Sequence, residues 1–403
     1  MLVINDTFVR RSGTSYSRLN AVSNMANLNW NISFLGVNSL SYALFGLTNL
    51  TSVDTANWDV SNITDFSGLF QGCSKLANLD VSNWNMQKAI NLSNMFVSTA
   101  ALQNIDLFNW NLINAKDLSR IFWGKYTLVN FNAPYNWNLS NVTNLSYAFS
   151  QCHSLNTLDA SQWQTHNLND VSYAFSGMYG GTNYLNLSQW DMSNVRNMEN
   201  MFFRCQGLKN LNVSQWNIWR VNNLSYVLAN CFEMNNLNIK YWNTIRVTNL
   251  SHSFDYGTSL EILDLDSWIT SNINNLSYAF RNCYNLKNVK VSNWNTSNFK
   301  DMSNMFSGCT RLSNINISKW NLCNVTNMRG AFFICDGLSY NTDSLKSIAQ
   351  ALLTATNVPS LDKNLYIGNY MGPLYGCAGI INNTSVGTDL VAQLRAAGWI
   401  VSD

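Results

Sequence analysis

Charge is what this sequence has least of. Charged side chains make up 11% of its residues, and 24 Lys and Arg nearly balance 22 Asp and Glu. An ordinary globular chain carries about a quarter. The basic residues are scattered, which argues against nucleic acid as a partner, because phosphate contacts need clustered cations. Long apolar runs are missing too. No stretch approaches the roughly 18 residues of a membrane span, so no membrane insertion is expected. The opening MLVINDTFVRRSGTSYS has no apolar core behind a basic start, so no secretory signal is read in it. Histidine is scarce. His153, His166 and His252 are the three present, and they fall at unrelated positions, as surface substitutions would. No nucleophile elbow, phosphate-binding loop or HExxH motif occurs, so no catalytic residue is named and no enzyme is expected. The nine cysteines contain no CxxC pair.

What the chain does have is apolar mass and periodicity. Hydrophobic residues reach 46%, enough for a core, and Asn and Ser supply the polarity that charge does not. Trp recurs at 58, 84, 110, 137, 163, 190, 216, 242, 268, 294 and 320, at intervals of 26 or 27 residues. A second aromatic marker follows twelve residues later, as in Phe70, Phe96, Phe122, Phe149, Phe175, Phe202, Phe254, Phe280, Phe306 and Phe332, with Leu228 in its place once. A fixed period in this range means a solenoid, propeller or array, and this one has the length of a leucine-rich-repeat coil.

The pattern within a unit supports that. Leu76-Ala-Asn-Leu79-Asp-Val81-Ser-Asn-Trp84 alternates apolar and polar residues, the period of a strand. Asp65-Phe-Ser-Gly-Leu-Phe70-Gln-Gly-Cys73 spaces its apolar residues three to four apart, which predicts a short helical turn. One unit cannot bury its own apolar face, but a stack of about twelve can. The expected fold is an α/β repeat solenoid over residues 39–337. Residues 1–38 are read as an N-terminal cap with the first irregular repeat. Residues 338–403 are read as a C-terminal α/β cap, with helices over 344–355 and 388–397.

In a solenoid, equivalent positions of successive coils form columns. The cap position of the turn is Asp65, Asn91, Asp117, Asn144, Asp170, Asn197, Asn223, Asn249, Asn275, Asp301 and Asn327, read as a structural ladder of short polar side chains. Cys73, Cys152, Cys205, Cys231, Cys283, Cys309 and Cys335 share another column, read as small thiols packed in the core. The Trp column is read as core rather than as a row of sugar-binding rings. The outward strand face carries Asp54, Asp80, Asp106, Asp159, Asn186, Asn212, Asn238 and Asp264, taken as the candidate binding surface. Asp54, Asp80 and Asp106 on consecutive coils would repel one another. That would raise their pKa values or invite calcium, the one cofactor considered.

The repeat WDVSNITDFSGLFQGCSKLANLDVSNW, matched by WNTSNFKDMSNMFSGCTRLSNINISKW, resembles the unit of the BspA-like leucine-rich-repeat surface proteins over about residues 40 to 335. The resemblance implies extracellular recognition or adhesion without enzymatic activity, and it transfers no binding residues. The closing LVAQLRAAGWIV looks like a short end-cap of surface and phage structural proteins. The sequence departs from the family in lacking a secretion signal and a cell-wall anchor. A virion protein needs neither. The expectation is therefore a virion surface, fibre or tail component that binds a protein or glycan receptor beside other virion or surface proteins. The low charge would ease lateral packing into a homo-oligomer. A bacterial cell-surface adhesin and a protein-binding scaffold are the alternatives.

Overall fold

The computed structural model describes residues 37–155, 158–180, 184–358 and 387–399. The expected N-terminal cap lies almost wholly outside them. The chain forms two compact units, one up to Val195 with Cys205–Leu208 and one from Arg196–Arg204 and Lys209 onward. Each is a repeat solenoid of parallel coils.

The strands are very short. The first unit has β1 (Ser52–Val53), β2 (Asn78–Leu79), β3 (Asn104–Asp106), β4 (Asn130–Asn132) and β5 (Tyr184–Asn186). The second has β6 (Asn210–Asn212), β7 (Asn236–Leu237), β8 (Ile262–Asp264), β9 (Asn288–Lys290) and β10 (Asn314–Ile315). Neighbours pair in parallel and in repeat register, so Ile105 faces Phe131 and Leu263 faces Val289. Alternation sends Ile105 and Leu263 inward and leaves Asn104 and Ile262 exposed.

The segment expected as a helical turn is not helical. In the coil at Asp65, the N–H groups of Phe66, Gly68, Phe70 and Gly72 donate to the carbonyls of Asn91, Ser93, Met95 and Val97 in the next coil, at 2.8, 2.8, 3.0 and 2.8 Å. The intervening Leu69, Gln71 and Cys73 donate three residues back, to Phe66, Gly68 and Phe70. A helix would direct every amide along its own axis. Here stacking takes every second one. The backbone must flip to allow this, and two left-handed residues result: Gly68 at φ +60° and Gly72 at φ +78°. The second unit repeats the arrangement, with Tyr278, Phe280 and Asn282 donating to Ser303, Met305 and Ser307. Tyr278 and Asn282 are its left-handed pair, at φ +59° and +58°.

Inside, columns of rings fill each stack. Phe70, Phe96 and Phe122 lie with centroids 5.9 and 5.4 Å apart and planes within 7°. Phe254, Phe280 and Phe306 follow at 5.2 and 5.1 Å. The Trp column is buried beside them, from 5% exposure at Trp58 to 1% at Trp320. Most of its indoles reach back one coil to a backbone carbonyl: Trp110 to Val81 at 2.9 Å, Trp190 to Ala160 at 2.9 Å and Trp294 to Leu265 at 2.9 Å. Those indoles thus also close polar groups that stacking would otherwise bury unmet, whereas the indole N–H groups of Trp84 and Trp137 are buried without a partner. The abundant Asn has a similar use. Asn114, Asn141 and Asn167 in the first unit, and Asn272, Asn298 and Asn324 in the second, send side-chain amides to carbonyls of the preceding coil.

The second unit ends in a short 3-10 turn over Asp336–Tyr340, then α1 (Thr342–Leu352) and α2 (Gly387–Ala396), which packs on α1. Asn341 caps α1 by accepting from the Ser344 N–H. Helix α1 covers the free edge of β10 with hydroxyls instead of another strand. Ser344 Oγ accepts from the Ile315 N–H at 3.0 Å and donates to the Ser313 carbonyl at 3.2 Å. Ser347 Oγ accepts from Ile317 and donates to Ile315. A hydroxyl can do both, which is why Ser suits this place. We predict that Ser344→Ala and Ser347→Ala each lower the stability of the second unit by about 1–2 kcal/mol, because each leaves buried strand amides unpaired. Urea titration of the single and double variants checks this.

Candidate functional site

Every residue of the cap column faces the backbone of its own turn. Asp65 accepts from the Ser67 N–H at 3.0 Å, Asn91 from Ser93 at 3.0 Å and Asp117 from Ser119 at 2.8 Å. Asn144 and Asp170 do the same with Ser146 and Ser172. In the second unit Asn197, Asn223, Asn249, Asn275, Asp301 and Asn327 take the N–H two residues on. Their backbones pair from coil to coil within each unit. These side chains open the turn and leave little to offer a ligand.

The outward strand column is spent in the same way. Asp54, Asp80, Asp106, Asp159 and Asn186 each accept from the N–H two residues on, and Asp264 accepts from Asp266. Asn212 takes the Ser214 hydroxyl, and Asn238 stays exposed. At Asp80 the shift runs opposite to the one expected from repulsion along the column. The Ser82 hydroxyl and N–H hold Asp80 below the usual carboxylate range, and Asp106 accepts the Asn132 amide at 2.9 Å. Among the described residues, no group of three or more His, Cys, Asp or Glu is arranged to hold a metal ion. Asp264 takes both Lys240 at 3.1 Å and Lys290 at 3.2 Å. Their hydrogen bonds lower it against the opposing effect of burial.

The outer side of the turn run is different. The left-handed residue three after the cap position is aromatic or basic in many coils and there lies at least partly exposed on the outside of the stack. In the first unit Arg120, Tyr147 and Tyr173 follow one another. The guanidinium of Arg120 lies 4.9 Å over the Tyr147 ring, and Tyr147 stacks on Tyr173 at 4.3 Å with planes 5° apart. A second column runs beside it. His153 stands between Tyr126 at 4.7 Å and Tyr179 at 4.3 Å. Trp123 meets Tyr147 edge-on, and Trp123 and Tyr126 are 39% and 50% exposed.

In the second unit His252 is sandwiched between Tyr226 at 4.3 Å and Tyr278 at 4.5 Å. Its Nδ1 lies 2.9 Å from Asp255, a carboxylate only 2% exposed. Arg281 clamps that carboxylate with Nε at 2.9 Å and Nη2 at 2.6 Å, and lies over the rings of Tyr278 and Tyr256. Burial, with Asp255 adding to it, pushes the Tyr226 hydroxyl pKa up. Two of the three histidines taken as isolated substitutions therefore belong to aromatic columns. The signal was present in SYAF at 146–149, 172–175 and 277–280. Read as helix, it did not reveal that the Tyr faces outward.

The cysteine column lies in the core. Each thiol reaches a carbonyl of the preceding coil, such as Cys73 to Leu44 at 3.1 Å and Cys309 to Phe280 at 3.0 Å. Burial pushes Cys73, Cys152 and Cys205 up to about 12, and raises Cys309 and Cys335 strongly. Lys125 interrupts this column. It is fully buried, with its ammonium on the Thr99 carbonyl and on the Thr99 hydroxyl at 2.8 Å. Burial pulls its pKa from 10.5 down to about 7, against a smaller opposing effect of Cys152.

The fold and its columns define a repeat solenoid of the leucine-rich-repeat type. The chain belongs to the family described as "Mycoplasma protein of unknown function, DUF285", which matches residues 38–132, 126–180, 170–262 and 250–360. This is the repeat class that the 26-residue unit resembled. Comparison with curated proteins found no relative. Among solved structures, a leucine rich cell surface protein from Faecalibacterium prausnitzii is similar at 17% identity and TM-score 0.32, covering 62% of this chain and 75% of that one. A leucine-rich repeat protein from Eubacterium ventriosum matches at 13% identity and TM-score 0.35, covering 76% and 82%. An internalin from Listeria monocytogenes matches at 12% identity and TM-score 0.23, covering 67% and 74%.

Two outcomes are expected from the buried groups. The column thiols should resist alkylation in the folded protein and react only in denaturant, with half-buried Cys323 labelled first among the described cysteines. Mass spectrometry of the labelled protein checks this. Lys125 binds its proton more weakly folded than unfolded, so stability should rise with pH above about 7, by on the order of 1 kcal/mol per unit. The thiols act oppositely. Their raised pKa values withdraw stability once the unfolded thiols ionise above about 9. Thermal unfolding from pH 7 to 9 should show the rise, and Lys125→Met should flatten it.

Proposed function

We propose that this protein is a non-enzymatic extracellular recognition protein, displayed on a virion or on a bacterial cell, whose coils present a binding surface on the turn face. The observation that carries this is the pair of outward aromatic columns with their Arg partners. Tyr, Trp and Arg are the side chains that dominate binding interfaces, the two aromatics being rigid, amphipathic and uncharged. The polar column of the strand face is already engaged, although Tyr241 and Ile262 are exposed beside it. Its carboxylates and amides serve its own turns, and Lys240 and Lys290 serve Asp264.

The non-enzymatic reading rests on how the acid–base groups are held. The buried carboxylate of Asp255 is neutralised by Arg281 and hydrogen-bonded to His252, and among the described residues no nucleophile is hydrogen-bonded to that pair. A receptor of protein or glycan chemistry fits the turn face, and lateral association of copies through the low-charge sides fits the composition.

Fractionation of the source material, with this chain followed by mass spectrometry, tests the placement. Recovery at fixed stoichiometry with dense particles that contain a capsid protein supports a virion component. Recovery with cell envelopes supports an adhesin. Recovery only among soluble intracellular proteins would overturn surface display.

A further inference from the structure

We infer that the turn face of the first unit, over residues 120–179, is a binding site for a neutral oligosaccharide. This rests on the recognition reading above and names its ligand.

Three features carry it. The first is the cost of placing these side chains. Arg120, Tyr147 and Tyr173 sit at φ +55°, +58° and +56°. Glycine takes the same column position at Gly68 and Gly330. A side chain there costs about 1–2 kcal/mol that glycine avoids. Three successive coils carry that cost with large outward groups, as Tyr226, His252 and Tyr278 do in the second unit.

The second feature is composition. The outward residues here are Arg120, Trp123, Tyr126, Tyr147, His153, Tyr173 and Tyr179, with no exposed Leu, Ile, Val or Met among them. Half-buried Gln151 adds an amide to this face, whereas Ser150 and Ser176, both 2% exposed, are closed to a ligand. Gln151 Oε1 is 3.1 Å from His153 Nε2. Its amide also lies against Gly177, where an added Cβ would meet Nε2 at 2.8 Å. Ring faces for C–H groups beside the phenol hydroxyls of the tyrosines and the Gln151 amide are what a polyhydroxylated ring requires. An aliphatic protein surface has no such need.

The third feature is charge and span. Arg120 is the one exposed cation in this set, and it already lies over Tyr147. His153 is held below its usual pKa by burial, so it adds no charge at neutral pH. A neutral ligand fits better than an acidic one. The site crosses three coils about 4.8 Å apart, which suits a chain of about three sugars better than a single ring. Trp123 and Tyr126 have the most open rings and stand at one end, as the stacking platform.

The test is an array of immobilised neutral oligosaccharides of three to six sugars (glucose, galactose, mannose and N-acetylglucosamine series) with sialylated and sulfated counterparts, probed with the full chain. The expected result is binding to at least one neutral series. Trp123→Ala and Tyr126→Ala should each weaken it roughly tenfold or more. Tyr147→Gly should weaken it while leaving the thermal midpoint within a few degrees, because strain relief offsets lost stacking. Tyr278→Ala, in the second unit, should leave it unchanged. Binding confined to acidic glycans, binding indifferent to Trp123→Ala, or no glycan binding at all would each overturn the inference. If no glycan binds but the chain still attaches to enzymatically deglycosylated target cells, the ligand assignment falls and the recognition reading stands.

Discussion

Every coil depends on one hydrogen-bonding compromise. Alternate amides of the turn run donate to the next coil, and the rest donate three residues back. Neither set alone would satisfy a backbone that is buried on one side and stacked on two. The compromise works only if two residues per coil, four apart, adopt left-handed backbone, and the pairs Gly68/Gly72, Tyr147/Gln151 and Tyr278/Asn282 show it repeating. Strand pairing is a minor partner, since the strands are two or three residues long. The rings, thiols and indoles of the interior are then threaded at the coil spacing. The column thiols and most of the indoles are closed by carbonyls one coil earlier.

That constraint also decides which surface is available for recognition. A left-handed residue projects its side chain away from the stack, so what fills this position shows on the outside. Where it is Gly, the neighbouring coil lies close. A Cβ on Gly68 would collide with the Tyr42 ring. Where it is Tyr, His or Arg, an aromatic column forms. The two units use it differently. The first sets the Gln151 amide beside its His153 ring. The second builds its rings around a buried carboxylate clamped by Arg281 and touched by His252.

Much of this was legible in the sequence. The period, the Trp and Phe markers, the buried thiols and the Asx column all follow from residue type at a fixed spacing, because stacking turns spacing into contact. The turn run was not legible as such. Phe66, Leu69, Phe70 and Cys73 fall at i, i+3, i+4 and i+7. A helix places those residues on one face, and so does this succession of turns, so apolar periodicity cannot separate the two. Gly68 and Gly72 held the distinguishing signal, since a helix interior disfavours Gly and a left-handed position favours it. The local use of the strand-face carboxylates was hidden for a related reason. Asp54 and Asp80 look like free carboxylates in a column, and only the structure shows each closing the amide two residues on.

The central claim is that recognition belongs to the turn face. Hydroxyl-radical footprinting of the protein, free and attached to its target surface, tests it most directly, because aromatic rings report their own solvent exposure. The account predicts that Trp123, Tyr126, Tyr147 and Tyr173 lose oxidation on attachment while the exposed strand-side Ile262 and Tyr241 do not. Protection of Ile262 and Tyr241 with unchanged oxidation along the aromatic columns would contradict it.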